Sequence, residues 1–142
     1  MRLYYIFICL LLILGCKNSE EKNKVPISEE QCIKTILEQD SILGNIRNHA
    51  TETLSLNTTI TNYTDSLKDL DFNYCPDDFS NAFQTHIDAW IAMKTVTDNY
   101  SNLRGEMHDV FDQIELSKDS VAFKTKLKAI WDTWKTIEER QQ

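Results

Sequence analysis

Hydrophobic residues along most of this chain recur at the spacing of one face of an α-helix. From Ser28 onward they follow one another mostly at intervals of three, four or seven positions, with polar residues between them. Four series can be followed: Ile33, Ile36, Leu43, Ile46, Ala50, Leu54, Ile60, Leu67 and Leu70; Phe79, Phe83, Trp90, Met93 and Tyr100; Met107, Val110, Phe111 and Ile114; Phe123, Leu127, Ile130, Trp134 and Ile137. The pattern predicts an all-α fold, an antiparallel bundle of three to four main helices plus a short helix near residues 106–115.

Local signals predict where several of these helices begin and end. Ser28 is followed three positions later by Gln31, which is the arrangement of a capping box at a helix N-terminus. Pro76 favours the first turn of a helix that we expect to run to about Leu103, before Gly105. Asp119 is an N-cap residue for the last helix.

The first sixteen residues have the pattern of a bacterial lipoprotein signal. Residues 3–14 form an uncharged apolar run of 12 residues after Arg2, and a membrane-spanning helix needs roughly 20. The tetrapeptide Ile13-Leu14-Gly15-Cys16 resembles the lipobox, in which the cysteine is lipidated and becomes the mature N-terminus. The resemblance divides the chain into a removed signal peptide (1–15), a lipidated N-terminus with a flexible leash (16–27) and a single helical-bundle domain (28–142).

Whether Cys32 and Cys75 form a disulfide depends on how many helices lie between Ser28 and Leu70. No cluster of glycine or proline marks a turn there, so the pattern favours one long helix, with a break and a four-helix bundle as the alternative. An unbroken helix of that length would extend about 60 Å. It would hold the two cysteines beyond the roughly 4–7 Å Cα separation of a disulfide. The disulfide and the long helix therefore exclude each other, and the long helix leaves both thiols free.

The composition is acidic, with 15 Lys and Arg against 22 Asp and Glu and a formal net charge of −7. Removal of residues 1–15 takes away Arg2 and makes the charge −8. Such a chain is a poor binder of nucleic acid, because sequence-independent binding depends on cationic side chains that neutralise phosphates. Lipidation of Cys16 predicts a protein anchored in the bilayer of a bacterial cell envelope. Ser19-Glu20-Glu21 resembles an acidic surface-export signal, which favours the outer membrane, on its periplasmic or its exposed face.

The sequence contains no catalytic motif that pairs a nucleophile with a base, and no cofactor signature. We therefore expect a protein that is not an enzyme and carries no cofactor. His108 and Asp112 have the helical spacing at which two side chains can share a metal ion, and they are candidate metal ligands. Three Asp-Ser-aliphatic tripeptides resemble a bacterial O-glycosylation acceptor. Their serines are Ser41, Ser66 and Ser120.

The segment CPDDFSNAFQTHIDAWIAMK at residues 75–94, together with IWDTWKTIEE at 130–139, resembles a group of small exported bacterial lipoproteins. The resemblance implies export and an all-helical fold, and it transfers no active site. Our leading hypothesis is a membrane-anchored, non-enzymatic module that binds an envelope protein or component, in the manner of an inhibitor or immunity protein. The alternative is a helical bundle that binds a metal or a small apolar molecule, the latter near Trp90 and Met93.

Overall fold

A computed structural model describes residues 27–141 of the chain. This part contains five α-helices: α1 (Glu29–Ala50), α2 (Leu56–Lys68), α3 (Asp77–Thr97), α4 (Met107–Glu115) and α5 (Ser120–Glu139). A single 3₁₀ turn (Asp98–Tyr100) follows α3 directly, and the described residues form no strand. The predicted all-α bundle is confirmed, and so is its short helix near residues 106–115.

Helix α3 lies at the centre of the bundle and packs against both α2 and α5. Its side chains Phe79, Phe83 and Met93 are completely buried in a core that all five helices share. Helix α1 packs against α2 and α4, and α4 also packs against α5. The side of α1 that faces α5 therefore borders a gap instead of a close helix–helix contact, and this gap is the groove described below.

The favoured single helix between Ser28 and Leu70 is wrong, because α1 ends at Ala50 and α2 begins at Leu56. Threonine and serine hydroxyls explain the break, since they satisfy backbone groups locally without a continuing helix. Thr51 is fully buried and its Oγ1 donates to the carbonyl of Asn48 at 3.1 Å. Ser55 caps α2 by accepting a hydrogen bond from the backbone N–H of Thr58 at 3.2 Å.

The break lets α2 fold back along α1 and brings Cys32 and Cys75 together. Their sulfurs form a disulfide with a Cα–Cα distance of 5.2 Å. The prediction that both thiols are free depended on the long helix, and it is wrong for the same reason. The bond fastens the first turns of α1 to the segment that leads into α3.

One other helix boundary and one predicted helix cap differ from expectation. Helix α3 ends at Thr97 and not near Leu103, because the chain tightens into the 3₁₀ turn. Asp119 precedes α5 as predicted, but its side chain does not cap that helix. Its Oδ2 instead accepts a hydrogen bond from the hydroxyl of Tyr100 at 2.8 Å, which ties the start of α5 to the end of α3.

Within residues 27–141, no helix combines the length and the hydrophobicity that crossing a membrane requires.

Candidate functional site

An open groove of about 690 Å³ runs between α1 on one side and α4 and α5 on the other. Known small-molecule sites occupy roughly 300–1,000 Å³, so the groove has the size of a binding site. A shallower depression of about 440 Å³ continues along the first half of α1 as far as Gln141 and shares Ser41 with the groove. Side chains of α2 and α3 form the floor, which comprises Tyr63, His86 and Trp90.

A buried carboxylate lies at the centre of the α1 wall. Asp40 is 8% exposed, and its Oδ1 accepts a hydrogen bond of 2.6 Å from the hydroxyl of Tyr63. Burial raises the pKa of Asp40, while the hydrogen bond from Tyr63 and the charge of Arg47 act in the opposite direction. Burial also raises the pKa of Tyr63, and the neighbouring carboxylate adds to this effect, so the phenol keeps its proton. The pair is a fixed hydrogen bond between α1 and α2.

Two turns further along α1, Arg47 lies over two aromatic rings. Its guanidinium carbon is 4.4 Å from the centre of the Tyr63 ring and 4.2 Å from that of Trp90. Cation–π contacts of this kind attract an arginine to aromatic faces, more strongly where water is excluded. Nε and Nη2 both donate to Oδ1 of Asn48, at 3.3 and 3.1 Å. Among the described residues no carboxylate oxygen lies within 4 Å of this guanidinium.

His86 on the floor is held by hydrogen bonds on both ring nitrogens. Its Nε2 accepts from the indole N–H of Trp90 at 3.1 Å, and its Nδ1 lies 2.9 Å from Oγ1 of Thr133. Burial lowers its pKa to about 4, and the positive charge of Arg47 contributes to the shift. The imidazole is therefore neutral near pH 7. Because Trp90 can only donate, Nε2 is the acceptor and Nδ1 carries the proton. His86 joins α3 to α5 and has no nitrogen left for proton transfer or a metal ion.

The α5 wall is aromatic. Trp134 packs against His86 with the ring centres 5.4 Å apart, and its indole N–H donates to Glu138 at 3.0 Å. Trp131 lines the groove one turn earlier and is 63% exposed. Met93, which we expected beside Trp90 in an apolar ligand site, is completely buried and does not line the groove.

The charges that line the groove are mainly negative. Four carboxylates face one arginine, Arg47. Three of these carboxylates lie at the α4 rim, and one of them, Glu115, has a cationic partner in Lys124 at 3.5 Å. The groove therefore combines an aromatic wall with an acidic rim. The four lining carboxylates are Asp40, Glu106, Asp112 and Glu115.

At the end of the groove, where α1 stops and α4 starts, histidines and carboxylates cluster. His49 Nδ1 lies 3.3 Å from Glu52 Oε1, and one ligand atom each of His49, Glu52 and Glu106 lie within 4.8 Å of one another. His108 contacts Glu106 through Nδ1 at 3.3 Å. Among residues 27–141, His49, Glu52 and Glu106 are the set of three whose ligand atoms approach closely enough to share an ion.

The predicted pair His108 and Asp112 lies beside this cluster on α4. His108 Nε2 is 3.0 Å from Asp109, while Asp112 lines the groove and joins no such set of three in the described part of the chain. His49 and Glu52 were not among the residues predicted from the sequence. Their spacing of three residues is visible in the sequence, but only the folded chain brings Glu106 to them.

The other predicted modification sites have varied surroundings. Cys16 lies outside the described residues, so its lipidation stays a prediction. Ser41 is exposed on the groove wall, and Ser120 is half-buried in the first turn of α5. Ser66 is half-buried and its hydroxyl donates to the carbonyl of Asn62 at 2.9 Å. Glycosylation of these serines also stays a prediction.

No protein-family model, no curated protein and no solved structure matches this chain. The function must therefore be argued from the groove and its side chains.

Proposed function

We propose that this protein is a lipid-anchored, non-enzymatic binding module of a bacterial cell envelope, and that its groove accepts a segment of a basic partner protein. The observation that supports the proposal best is the groove itself, with its aromatic α5 wall and its acidic α4 rim. A partner segment would place an apolar side chain against Trp131 and Trp134 while its lysine or arginine side chains approach Asp112. An inhibitor or immunity protein that uses its acidic face against a basic enzyme or toxin is one concrete form of this module.

Two features favour a protein over a small molecule. Trp131 is 63% exposed at the groove edge, and exposed tryptophans are among the side chains that contribute most to protein–protein affinity. The groove is also open along its length and continues as the depression beside the first half of α1. An extended shape of this kind suits a helix or turn of another protein, laid into a groove between helices.

Charge favours a basic partner. Four carboxylates line the groove against one arginine, and the whole chain has a formal charge of −7. Complementary charge mainly accelerates association and excludes partners of the same sign. We therefore expect binding to weaken as salt is added, because salt screens exposed charges.

The buried titratable groups support a role without catalysis. Asp40 is hydrogen-bonded to Tyr63, and both nitrogens of His86 are engaged by Trp90 and Thr133. A general acid or base must have a lone pair or proton free to reach a substrate. These groups instead hold the groove floor in shape.

Affinity capture with matched variants tests the groove. The full-length chain in detergent is immobilised and exposed to envelope extract of the bacterium that encodes it. We expect a basic protein to bind the wild type saturably, to be lost with Trp131→Ala and Asp112→Lys, and to be retained by Tyr74→Ala and Asp88→Lys. Both control positions are exposed and lie outside the groove. Equal capture by all five forms would show that the groove is not the binding surface.

The anchor is tested separately. Cys16→Ser should abolish labelling by a fatty-acid analogue and move the protein from the membrane to the soluble fraction, because the acyl chains supply about 0.8 kcal/mol per buried CH₂. A variant that is unlabelled but still membrane-bound would require another anchor. A variant that is still labelled would place the lipid on another residue.

A further inference from the structure

We propose that His49, Glu52 and Glu106 form a binding site for a divalent transition-metal ion such as Zn²⁺ at the end of the groove. The site joins the C-terminal turn of α1 to the start of α4. The inference does not depend on the proposed function, since the groove can accept a partner with or without an ion.

The positions of the ligand atoms fit this ion. With bonds of about 2.0–2.1 Å, a tetrahedral zinc site places neighbouring ligand atoms about 3.3–3.4 Å apart. His49 Nδ1 and Glu52 Oε1 are 3.3 Å apart, and the Glu106 ligand atom is within 4.8 Å of both. All three side chains are exposed. The Glu106 side chain can therefore close the remaining distance by rotation, without movement of the backbone.

The backbone already holds the two halves of the site together. The N–H of Gly105 donates to the carbonyl of Thr51 at 3.3 Å, which links the turn after α1 to the loop before α4. Thr51 is completely buried and so fixes this link to the core. On the other side of Glu106, the side chain of Met107 is also buried. Glu52 and Glu106 are thus each next to an immobile residue, and little chain entropy remains to be lost when an ion binds.

The negative charges of two neighbouring carboxylates favour a cation at this position. Glu52 and Glu106 bring two carboxylates close together, and in the described part of the chain no lysine or arginine lies within 4 Å of either. Nδ1 of His108 contacts Oε2 of Glu106, which leaves Oε1 of Glu106 for an ion. Carboxylates that ligate a metal are commonly held by hydrogen bonds from outer-shell groups, and His108 can supply such a bond to Glu106.

The ligand types determine the class of ion. One imidazole and two carboxylates suit zinc and its neighbours among the first-row metals, whereas Ca²⁺ and Mg²⁺ prefer oxygen ligands alone. Three protein ligands leave the fourth position for water or for a side chain of a molecule in the groove. A loss of affinity when His49 is replaced therefore distinguishes this site from an acidic surface that attracts cations without selectivity.

Isothermal titration calorimetry with Zn²⁺ alone tests the site. The protein is the full-length chain, purified in detergent and without a histidine tag. We expect one saturable ion per chain in the wild type. His49→Ala, Glu52→Gln and Glu106→Gln should each weaken binding at least about tenfold. Glu38→Gln removes one carboxylate from an exposed part of α1 and should leave the affinity unchanged, and so should Asp112→Asn on α4. Excess Ca²⁺ or Mg²⁺ should not displace the zinc.

Three results would overturn the inference. One is the absence of saturable binding to a wild type that shows its normal helical circular dichroism. Another is an affinity that Asp112→Asn lowers as much as Glu106→Gln, because the ion would then lie at the pair predicted from sequence. The third is displacement by Ca²⁺ with no effect of His49→Ala, which would indicate an unspecific acidic surface.

Discussion

Protonation of His86 should make the fold sensitive to mild acid. Its pKa lies near 4 in the folded chain against an ordinary value of 6.5, because burial and the charge of Arg47 disfavour the imidazolium. Below pH 6.5 the unfolded chain therefore binds a proton that the folded chain does not. The associated stability is complete above about pH 6.5 and is lost as the pH falls towards 4, at up to about 1.4 kcal/mol per pH unit. Between pH 6.5 and pH 4 the free energy of unfolding falls by about 3 kcal/mol in total.

Comparison with His86→Gln isolates this contribution. A glutamine can still accept a hydrogen bond from Trp90 and donate one to Thr133, but it does not titrate. Asp40, whose pKa is raised, contributes with the opposite sign, since its share of the stability grows as the pH falls. That share is present in both proteins and cancels in their difference.

Urea unfolding followed by circular dichroism at pH 7, 6, 5 and 4 gives the two stability curves. We expect wild type to lose about 3 kcal/mol more than His86→Gln between pH 7 and pH 4, with most of the divergence below pH 6.5. Parallel curves for the two proteins would refute the reasoning, because they would mean that His86 takes up its proton in the folded chain as readily as in the unfolded one.

Three further substitutions test the elements that shape the bundle. Replacing Cys32 and Cys75 together by serine reopens a loop of 43 residues and should lower the free energy of unfolding by about 4 kcal/mol, as measured in urea; a loss below about 1 kcal/mol would contradict the loop-entropy account. Tyr63→Phe removes the donor to a buried carboxylate and should cost about 1–3 kcal/mol by the same assay, and no loss would show that this carboxylate is solvated. Gly105 has φ of +140°, so Gly105→Ala should destabilise by about 1–3 kcal/mol. A Cβ at Gly44, within α1, would lie 3.7 Å from Nη2 of Arg47, which is an ordinary van der Waals contact, so Gly44→Ala should stabilise by about 0.5–1 kcal/mol. Equal effects of the two glycine substitutions on the thermal midpoint would contradict the role of backbone conformation.

Much of the fold could be predicted because helical periodicity is a local property. The series Phe123, Ile130 and Ile137 marks the buried side of α5, and all three are at most 3% exposed. The same logic fails between Ser28 and Leu70. Ile46 and Leu54 fit the spacing of the first series, yet they are 58% and 37% exposed, because the chain turns between them. The hydroxyls that make this turn are common in helices as well as in turns, so composition alone does not decide.

The candidate site depends on contacts between distant parts of the chain, which periodicity does not report. His86 and Trp90 are one turn apart and their proximity follows from sequence, but Thr133 comes from another helix. Arg47 carries no motif, and its position over Tyr63 and Trp90 requires three helices to be in place. Glu106 likewise meets His49 only after α4 has packed on α1. Each of these side chains is ordinary in the sequence and becomes a candidate through its neighbours.

The attachments of α1 explain why the groove remains open. Near its start, α1 is bonded to the segment before α3 through Cys32, and at its middle Asp40 is hydrogen-bonded to α2. One turn before its end, Arg47 lies on rings of α2 and α3, and the following turn is held by the backbone bond to Gly105. None of these four attachments is made to α5: they reach the segment before α3, helices α2 and α3, and the loop before α4. A movement of α1 towards α5 that closed the groove would strain these attachments, so we expect the groove to stay open when no partner is bound.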